Sequence, residues 1–406
     1  MSETISKSSQ ILKPEWQARL EKELKLPNTW ESIQWEVSEY FKLEPYFDQS
    51  SAVDLSYLSE FHEFISAGRD GMKPAILANG DAMAGADSDS WEKAESYGLS
   101  GWVSEGITTG VDFSLAKKQV YQRFKNESDP FMDGLALGNW PEKKQKNTQS
   151  THIHAADVHN AGGSAVQELA TALLVAEAWK PQIIDNSTGI DSLTIHLGIG
   201  PLFWLELAKV RAMRLLWINF CHANGWKPNL PTLRAETSKV HWSKSDTDTN
   251  LIRQTLSAMA AMLGGADQIL VHPHSFEASK ALENIRLAAN IPHLLMQESF
   301  LNQFADPAGG SYTVDQLTHH LAQSAWKQFG EWNQIGFTKL AEQGTLQQSI
   351  EKQADRLKER YQNKELTLLG VNQFQSDMAI SSPPFPQLLF EDSPSFTRLK
   401  PLFLDA

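Results

Sequence analysis

A single cysteine, Cys221, stands in 406 residues. One thiol cannot build an internal disulfide framework, and it suits a reducing compartment. Positive charge is also short: 36 Lys and Arg against 49 Asp and Glu leave a formal charge of −13. That balance excludes nucleic acid or an anionic membrane as a partner held by charge alone, and any anionic ligand would need locally placed cations. No apolar run reaches the roughly 18 residues of a membrane span. Residues 1–10 are polar and Ser-rich, with no apolar signal region. No P-loop, complete dinucleotide fingerprint or Gly-x-Ser-x-Gly elbow occurs. The expectation is a soluble, cytoplasmic protein. Its 41% apolar residues supply a full core for one large domain or two ordinary ones.

What is present is a rhythm. Residues 1–72 read as an N-terminal arm and lead-in, where Trp16, Leu20 and Leu24 recur at helical spacing and Trp30, Trp35, Tyr40, Phe41 and Tyr46 crowd a short segment. Such aromatics suit either packing onto the arm's own domain or an interface with a partner subunit. From residue 73, apolar runs at 75–79, 101–106, 131–137, 151–157, 193–199, 231–237, 268–274 and 293–298 predict strands, most of them buried on both faces. Helical periodicity lies between them, around Val166–Leu173, Phe203–Phe220 and Ile252–Leu263, the last ending at Gly264-Gly265. Eight strands alternating with helices over about 250 residues predict a (β/α)8 TIM barrel over 73–345, with a doubly wound open sheet as the alternative. Residues 346–406 read as a charged helix end, a short strand at 366–371 and a Pro-rich extended tail around Pro383, Pro384 and Pro386.

In barrels the chemistry sits at the C-terminal ends of the strands. The polar residues expected there are Asn79, Glu105, Asp157, His159, His196, Glu236, His272, His274, Gln297 and Glu298. No lysine ends a predicted strand, which argues against Schiff-base chemistry. His152 with His154 and His272 with His274 each place two imidazoles at strand spacing, so a metal-dependent hydrolase is a rival reading. His152 and His154 lie near the start of their strand, however, and Pro273 bends the other pair. Gly198-Ile199-Gly200 before a helix is a weak phosphate-cradle pattern. Asp157-Val158-His159-Asn160-Ala161-Gly162 spells D-x-H-x-x-G, the pattern that presents histidine to cobalt in cobalamin-dependent mutases. There it opens a separate C-terminal domain, whereas here it lies mid-chain, which favours a structural role.

Four segments together carry a resemblance: His159-Asn160-Ala161-Gly162 with Gln167-Glu168-Leu169-Ala170; Glu206–Ala212 with Leu216-Trp217; Leu233–Asp267 with Gln297-Glu298-Ser299; and Asp306–Tyr312 with Ala325-Trp326. Gly370-Val371-Asn372 adds a fifth piece. In that order they resemble the methylmalonyl-CoA mutases, and above all the small subunit of the heterodimeric bacterial enzymes. The resemblance implies a TIM barrel and a large partner chain that holds adenosylcobalamin and interconverts methylmalonyl-CoA and succinyl-CoA. It places Gly200 where the family has the histidine that polarises the thioester carbonyl. It also finds no counterpart of the family's radical-guiding tyrosine between Leu43 and Gly80, and no flavodoxin-like cobalamin domain. The expectation is therefore a non-catalytic small subunit that binds no cofactor alone and forms a heterodimer, with a homodimer as the alternative in isolation. Glu236, His272, His274, Gln297 and Glu298 are then candidates for a vestigial CoA-ester pocket. A split acyl-CoA mutase barrel, borrowing its cobalamin domain from another chain, is the second reading.

Overall fold

The computed structural model describes residues 13–25, 29–38, 40–47, 51–53, 74–79, 88–104, 107–109, 151–178, 180, 193–228, 230–243, 246–275, 280–304 and 306–374. The expected strand at 131–137, Glu105 and the Pro-rich tail lie outside the described residues.

The elements follow in chain order. The arm holds α1 (Lys13–Leu24), α2 (Thr29–Ser32), β1 (Trp35–Ser38) and β2 (Phe41–Leu43). Then come β3 (Ala75–Asn79), α3 (Ser88–Glu95), β4 (Gly101–Ser104) and β5 (Ile107–Thr109). They are followed by β6 (Thr151–His154), α4 (Ala156–Asn160), α5 (Ala165–Ala178), β7 (Leu193–Ile199) and α6 (Phe203–Ala223). Next are β8 (Thr232–Thr237), α7 (Thr247–Gly264), β9 (Gln268–Leu270) and α8 (Ala281–Gln297). Helices α9 (Tyr312–Ile335), α10 (Phe337–Glu342) and α11 (Thr345–Gln362) end the series.

Strands β3 to β9 make a seven-stranded sheet in the order β5-β4-β3-β9-β8-β7-β6. Every pairing in it is parallel except the β4–β5 hairpin. The fold is mixed α/β around a parallel sheet, compatible with the expected barrel. The β9–β3 pairing joins the last strand to the first, as barrel closure requires. The two ends of the described sheet, β5 and β6, are linked in sequence through 110–150, outside the described residues.

Buried sequence explains the architecture. All seven residues of β7 are buried, the signature of a strand covered on both faces. Helix α6 packs against α5, α7 and α9, and is buried almost all round, so it shows no polar face. Gly264 lets α7 approach it: a Cβ there would lie 2.8 Å from the Leu207 carbonyl oxygen. Asp246 caps α7 by accepting the Thr249 N–H at 3.2 Å, and Gly265, at φ 89°, ends it.

Four expectations need correction. Residues 293–298 are not a strand but the end of α8. Its buried positions Asn284, Ile285, Ala288, Ala289, Ile291, Pro292 and Leu295 follow helical spacing, and the helix runs through Pro292. Gln297 and Glu298 thus lie at a helix C-terminus, not at the end of a barrel strand. The run 151–157 leaves the strand after His154, so Asp157 and His159 sit on the short helix α4. Residues 366–371 form a turn with one isolated bridge, Leu369 to Gln373. Asn372 staples that turn: its Oδ1 accepts the Leu368 N–H at 2.7 Å, and its Nδ2 donates to the carbonyls of Tyr361 and Leu366 at 3.0 and 2.8 Å. Gly370, at φ 78°, supplies the reversal.

The arm folds onto its own chain. Trp16 packs edge-on to Trp30 and stacks on Tyr46, with centroids at 5.6 and 5.2 Å. Phe41 stacks on His320 of α9, Tyr40 Oη donates to Gln328 Oε1, and Glu36 pairs with Arg356 of α11 at 2.7 Å. Of the two arrangements expected for these aromatics, packing onto the arm's own domain is the one described.

Candidate functional site

The site is built where β6, β7 and β8 hand over to their helices. After β6 the chain makes α4, reverses at Gly162 (φ 89°), and enters α5 through a reciprocal cap. There the Ser164 N–H donates to Gln167 Oε1 at 2.9 Å and the Gln167 N–H to Ser164 Oγ at 3.2 Å. After β7, Gly200-Pro201 leads straight into α6; after β8, residues 238–243 turn towards α7. These three junctions form one side of a cavity of about 380 Å³, within the range of small-molecule pockets. The arm (Trp35 to Val37) and α11 (Arg356, Arg360, Tyr361) form the other. Two buried imidazoles, His159 and His241, line it, and His159 Nε2 and His241 Nδ1 have no hydrogen-bond partner among the described residues.

Below the cavity lies a charge network with no access to water. Lys209 of α6, 0% exposed, reaches Glu168 Oε2 at 2.7 Å and Glu206 Oε2 at 2.6 Å, and donates to the Gly198 carbonyl. Glu168 Oε1 in turn accepts the Gly198 N–H at 2.7 Å, so both polar groups of that strand residue are used by side chains. Burial pushes the Glu168 carboxyl up and Lys209 only partly offsets this. Burial also disfavours the Lys209 charge, but the two carboxylates outweigh it and hold the ammonium above its usual range. Lys209 Nζ lies 3.3 Å from His159 Nδ1. Burial, followed by the Lys209 charge, pushes His159 down to about 3, so its ring is neutral at physiological pH. His241 falls to about 3 as well, mainly through burial.

Gly198 of β7 admits the imidazole, since a Cβ there would lie 2.8 Å from His159 Cβ and Cγ. One at Gly200, just after β7, would meet Glu206 Oε1 at 3.1 Å and make ordinary contact with His159 Cε1 and Nε2 at 3.4 Å. The position expected to have lost a histidine is therefore bordered by another one. The sequence placed His159 at a strand end, in a family-like segment and in a cobalt-motif look-alike, and favoured a structural role for that motif. Nothing in the sequence showed that Lys209 and Glu168, on helices apolar all round, point beneath it.

The other expected residues fall into separate groups, and the cavity lining includes none of Glu236, His272, His274, Gln297 or Glu298. His272 accepts from Asn79 Nδ2 at 2.9 Å, and its N–H donates to Thr237 Oγ1, tying β3, β8 and the chain after β9 together. Glu236 accepts from Asn160 Nδ2 at 3.1 Å, and burial raises its carboxyl. Burial together with the Glu236 charge pushes Asp157 up to about 7. His274 fastens α7 through its carbonyl, which accepts from Asn250 Nδ2 at 3.2 Å. Gln297 and Glu298 are exposed. His196 stacks on His154 with centroids 3.9 Å apart, while the His152 side chain lies outside the described residues. Among the described residues no group of three or more His, Cys, Asp or Glu is placed to hold a metal ion, and no helix is long and apolar enough to cross a membrane.

A match to the family described as methylmalonyl-CoA mutase spans residues 117–389, two thirds of the sequence. The chain belongs to the methylmalonyl-CoA mutase family. Its relatives include the methylmalonyl-CoA mutase of Rhizobium meliloti (strain 1021), 30% identical over 291 residues, covering 68% of this chain and 39% of that protein. The methylmalonyl-CoA mutase small subunit of Porphyromonas gingivalis is 28% identical over 242 residues, covering 55% and 38%. The probable methylmalonyl-CoA mutase small subunit of Mycobacterium tuberculosis (strain ATCC 25618 / H37Rv) is 31% identical over 254 residues, covering 59% and 41%. The chain thus spans about two fifths of the length of these relatives.

Within this mutase chain the remaining signature residues are structural. Arg211, on the Glu206–Ala212 segment of α6, pairs with Asp306 at 2.8 Å and Asp315 at 2.9 Å and donates to Thr318 Oγ1 at 3.0 Å. Asp306 adopts φ 43°, and Gly309 must be glycine because a Cβ would meet Asp306 Oδ2 at 2.7 Å. The Asp-Pro-Ala-Gly-Gly-Ser stretch thus takes part in a lock between α6 and α9. Mutases of this family normally use adenosylcobalamin. Among the described residues, the cavity of about 380 Å³ is too small to hold a corrinoid.

Proposed function

We propose that this chain is a small-subunit-type mutase chain. In this reading it pairs with a large chain that binds adenosylcobalamin and interconverts methylmalonyl-CoA and succinyl-CoA, and stabilises that chain by burying its surface. It performs no rearrangement alone, because radical chemistry needs that cofactor and the described cavity is too small to hold it. The parallel sheet is read as part of a (β/α)8 barrel. The small-subunit relatives support the pairing.

One observation goes beyond a purely structural role. His159, neutral and with its outer nitrogen unpaired, faces a formed cavity. Buried polar groups are normally satisfied, so an orphaned ring nitrogen on a cavity wall is a place for a ligand's acceptor. The pocket accordingly retains binding of an acyl group, with His159 as the donor. Co-expression with a large mutase chain should yield a 1:1 complex on gel filtration, and the isolated chain supplied with adenosylcobalamin should show no turnover. Failure to co-purify at micromolar concentration, or turnover by the chain alone, would sink this reading.

A further inference from the structure

An imidazole that is to serve a ligand must present the right nitrogen. A neutral ring has one N–H donor and one acceptor, and its other contacts decide which is which. Two groups compete for His159 Nδ1. Lys209 Nζ, a donor only, is 3.3 Å away; Glu168 Oε2, an acceptor only, is 3.6 Å away. The first would leave the proton on Nε2, and the second would draw it to Nδ1.

Geometry and charge favour the lysine. The carboxylate contact lies beyond hydrogen-bond range, and the same oxygen already receives Lys209 at 2.7 Å. A proton on Nδ1 would face an ammonium at 3.3 Å among buried groups, where such a clash is less screened than in water. Glu168, Glu206 and the Gly198 carbonyl take up the three ammonium protons and fix the group, so it acts on Nδ1 through its charge and not as a hydrogen-bond donor. Gly198 holds the ring in register from the other side, because its Cα packs directly against the imidazole.

We propose that Lys209 is a positioning residue that sets the tautomer of His159, leaving its proton on Nε2 so that an N–H donor points into the cavity. The buried Glu168–Lys209–Glu206 network acts as the support that keeps this donor in place. This rests on the reading of the cavity as a ligand pocket only for its purpose; the tautomer itself is a property of the free protein.

The test is long-range proton–nitrogen correlation NMR on protein labelled with nitrogen-15 histidine, at neutral pH, with His159→Gln identifying the signals. The expected result is an Nε2–H ring favoured by more than about tenfold, the equivalent of about 1.4 kcal/mol. In the charge-matched double variant Lys209→Met with Glu168→Gln, the ratio should fall towards that of a free imidazole. In Glu168→Gln alone, with Lys209 retained, it should not change. A proton found on Nδ1 in the unaltered protein overturns the proposal, as does a folded double variant that keeps the original ratio. A change in Glu168→Gln alone assigns control to the carboxylate and also overturns it. If the double variant fails to fold, the unaltered protein and Glu168→Gln still decide. Thermal stabilisation by methylmalonyl-CoA, compared between the unaltered protein and His159→Gln, separately tests the pocket. No stabilisation would remove the ligand reading while leaving the tautomer result standing.

Discussion

Replacing Arg211 by methionine tests the lock that the family signature builds. The guanidinium is 1% exposed and serves two carboxylates and a hydroxyl on two other segments. Methionine keeps most of the volume but leaves Asp306 and Asp315 facing each other without a counter-charge. Removing one partner of a buried ion pair costs about 3–5 kcal/mol, a large part of the roughly 5–15 kcal/mol that holds a typical domain together. In thermal unfolding followed by tryptophan fluorescence, the midpoint should drop by roughly 6–20 °C, taking about 2–4 °C per kcal/mol. Arg211→Lys keeps the charge without the planar fork and should recover only part of the stability. A deficit below about 1 kcal/mol, or full recovery by Arg211→Lys, would refute the assignment of this motif as a lock built on the guanidinium fork.

Other outcomes follow from the site. Gly198→Ala puts a methyl group 2.8 Å from the His159 ring and should cost about 1–3 kcal/mol in urea unfolding. Gly200→Ala, whose nearest neighbour is Glu206 Oε1 at 3.1 Å, should cost clearly less. His159 and His241 have folded pKa values near 3, below the ordinary histidine value. Unfolding therefore takes up protons between about pH 3 and 6.5, and their contribution is lost as pH falls through that window. Asp157, raised to about 7, opposes them: its contribution is greatest at low pH and fades between about pH 4 and 7. Two histidines against one carboxyl leave net stability rising by about 1.4 kcal/mol per pH unit from these groups between pH 4 and 6.5. His241→Gln should flatten that slope in pH-dependent urea titrations. The exposed Glu36–Arg356 pair should behave differently, with Glu36→Lys costing less than about 1 kcal/mol and Arg356→Glu in the same chain recovering it.

The sequence carried the fold where burial was uniform and lost it where a short apolar run was ambiguous. The run 75–79 and the run 193–199 are found as strands with the expected ends, because an apolar stretch bounded by polar residues reads directly as a strand buried on both faces. The apolar run at 293–298 read as a strand is the end of a continuous helix, so Gln297 and Glu298 lie at a helix C-terminus and not at a strand end. At the site, residues were sought at strand ends. His272 and Glu236 do lie there, but they bond to neighbouring strands and helices instead of facing the cavity. The side chains that build the pocket's chemistry, Glu168 and Lys209, sit on helices with no polar face, and periodicity cannot reveal where such a residue points. The signature Glu-Leu-Ala-Lys of α6 was legible as a family mark. That Lys209 neutralises two carboxylates beneath a histidine was legible only in three dimensions.

The pairing of β3 with β9 has a further consequence for how this molecule is made. Asn79 meets His272 across 193 positions of sequence, so one edge of β3 has no partner until that length of chain exists. At about 5–20 residues per second, synthesis leaves that edge open for roughly 10–40 s. During this interval β3 can pair on one side only, with β4, and offers unpaired backbone groups to any other strand. Closing so large a loop also makes the step entropically late and slow. The growing chain should therefore depend on chaperones until β9 emerges, and truncations that end before residue 268 should aggregate instead of forming a smaller stable domain.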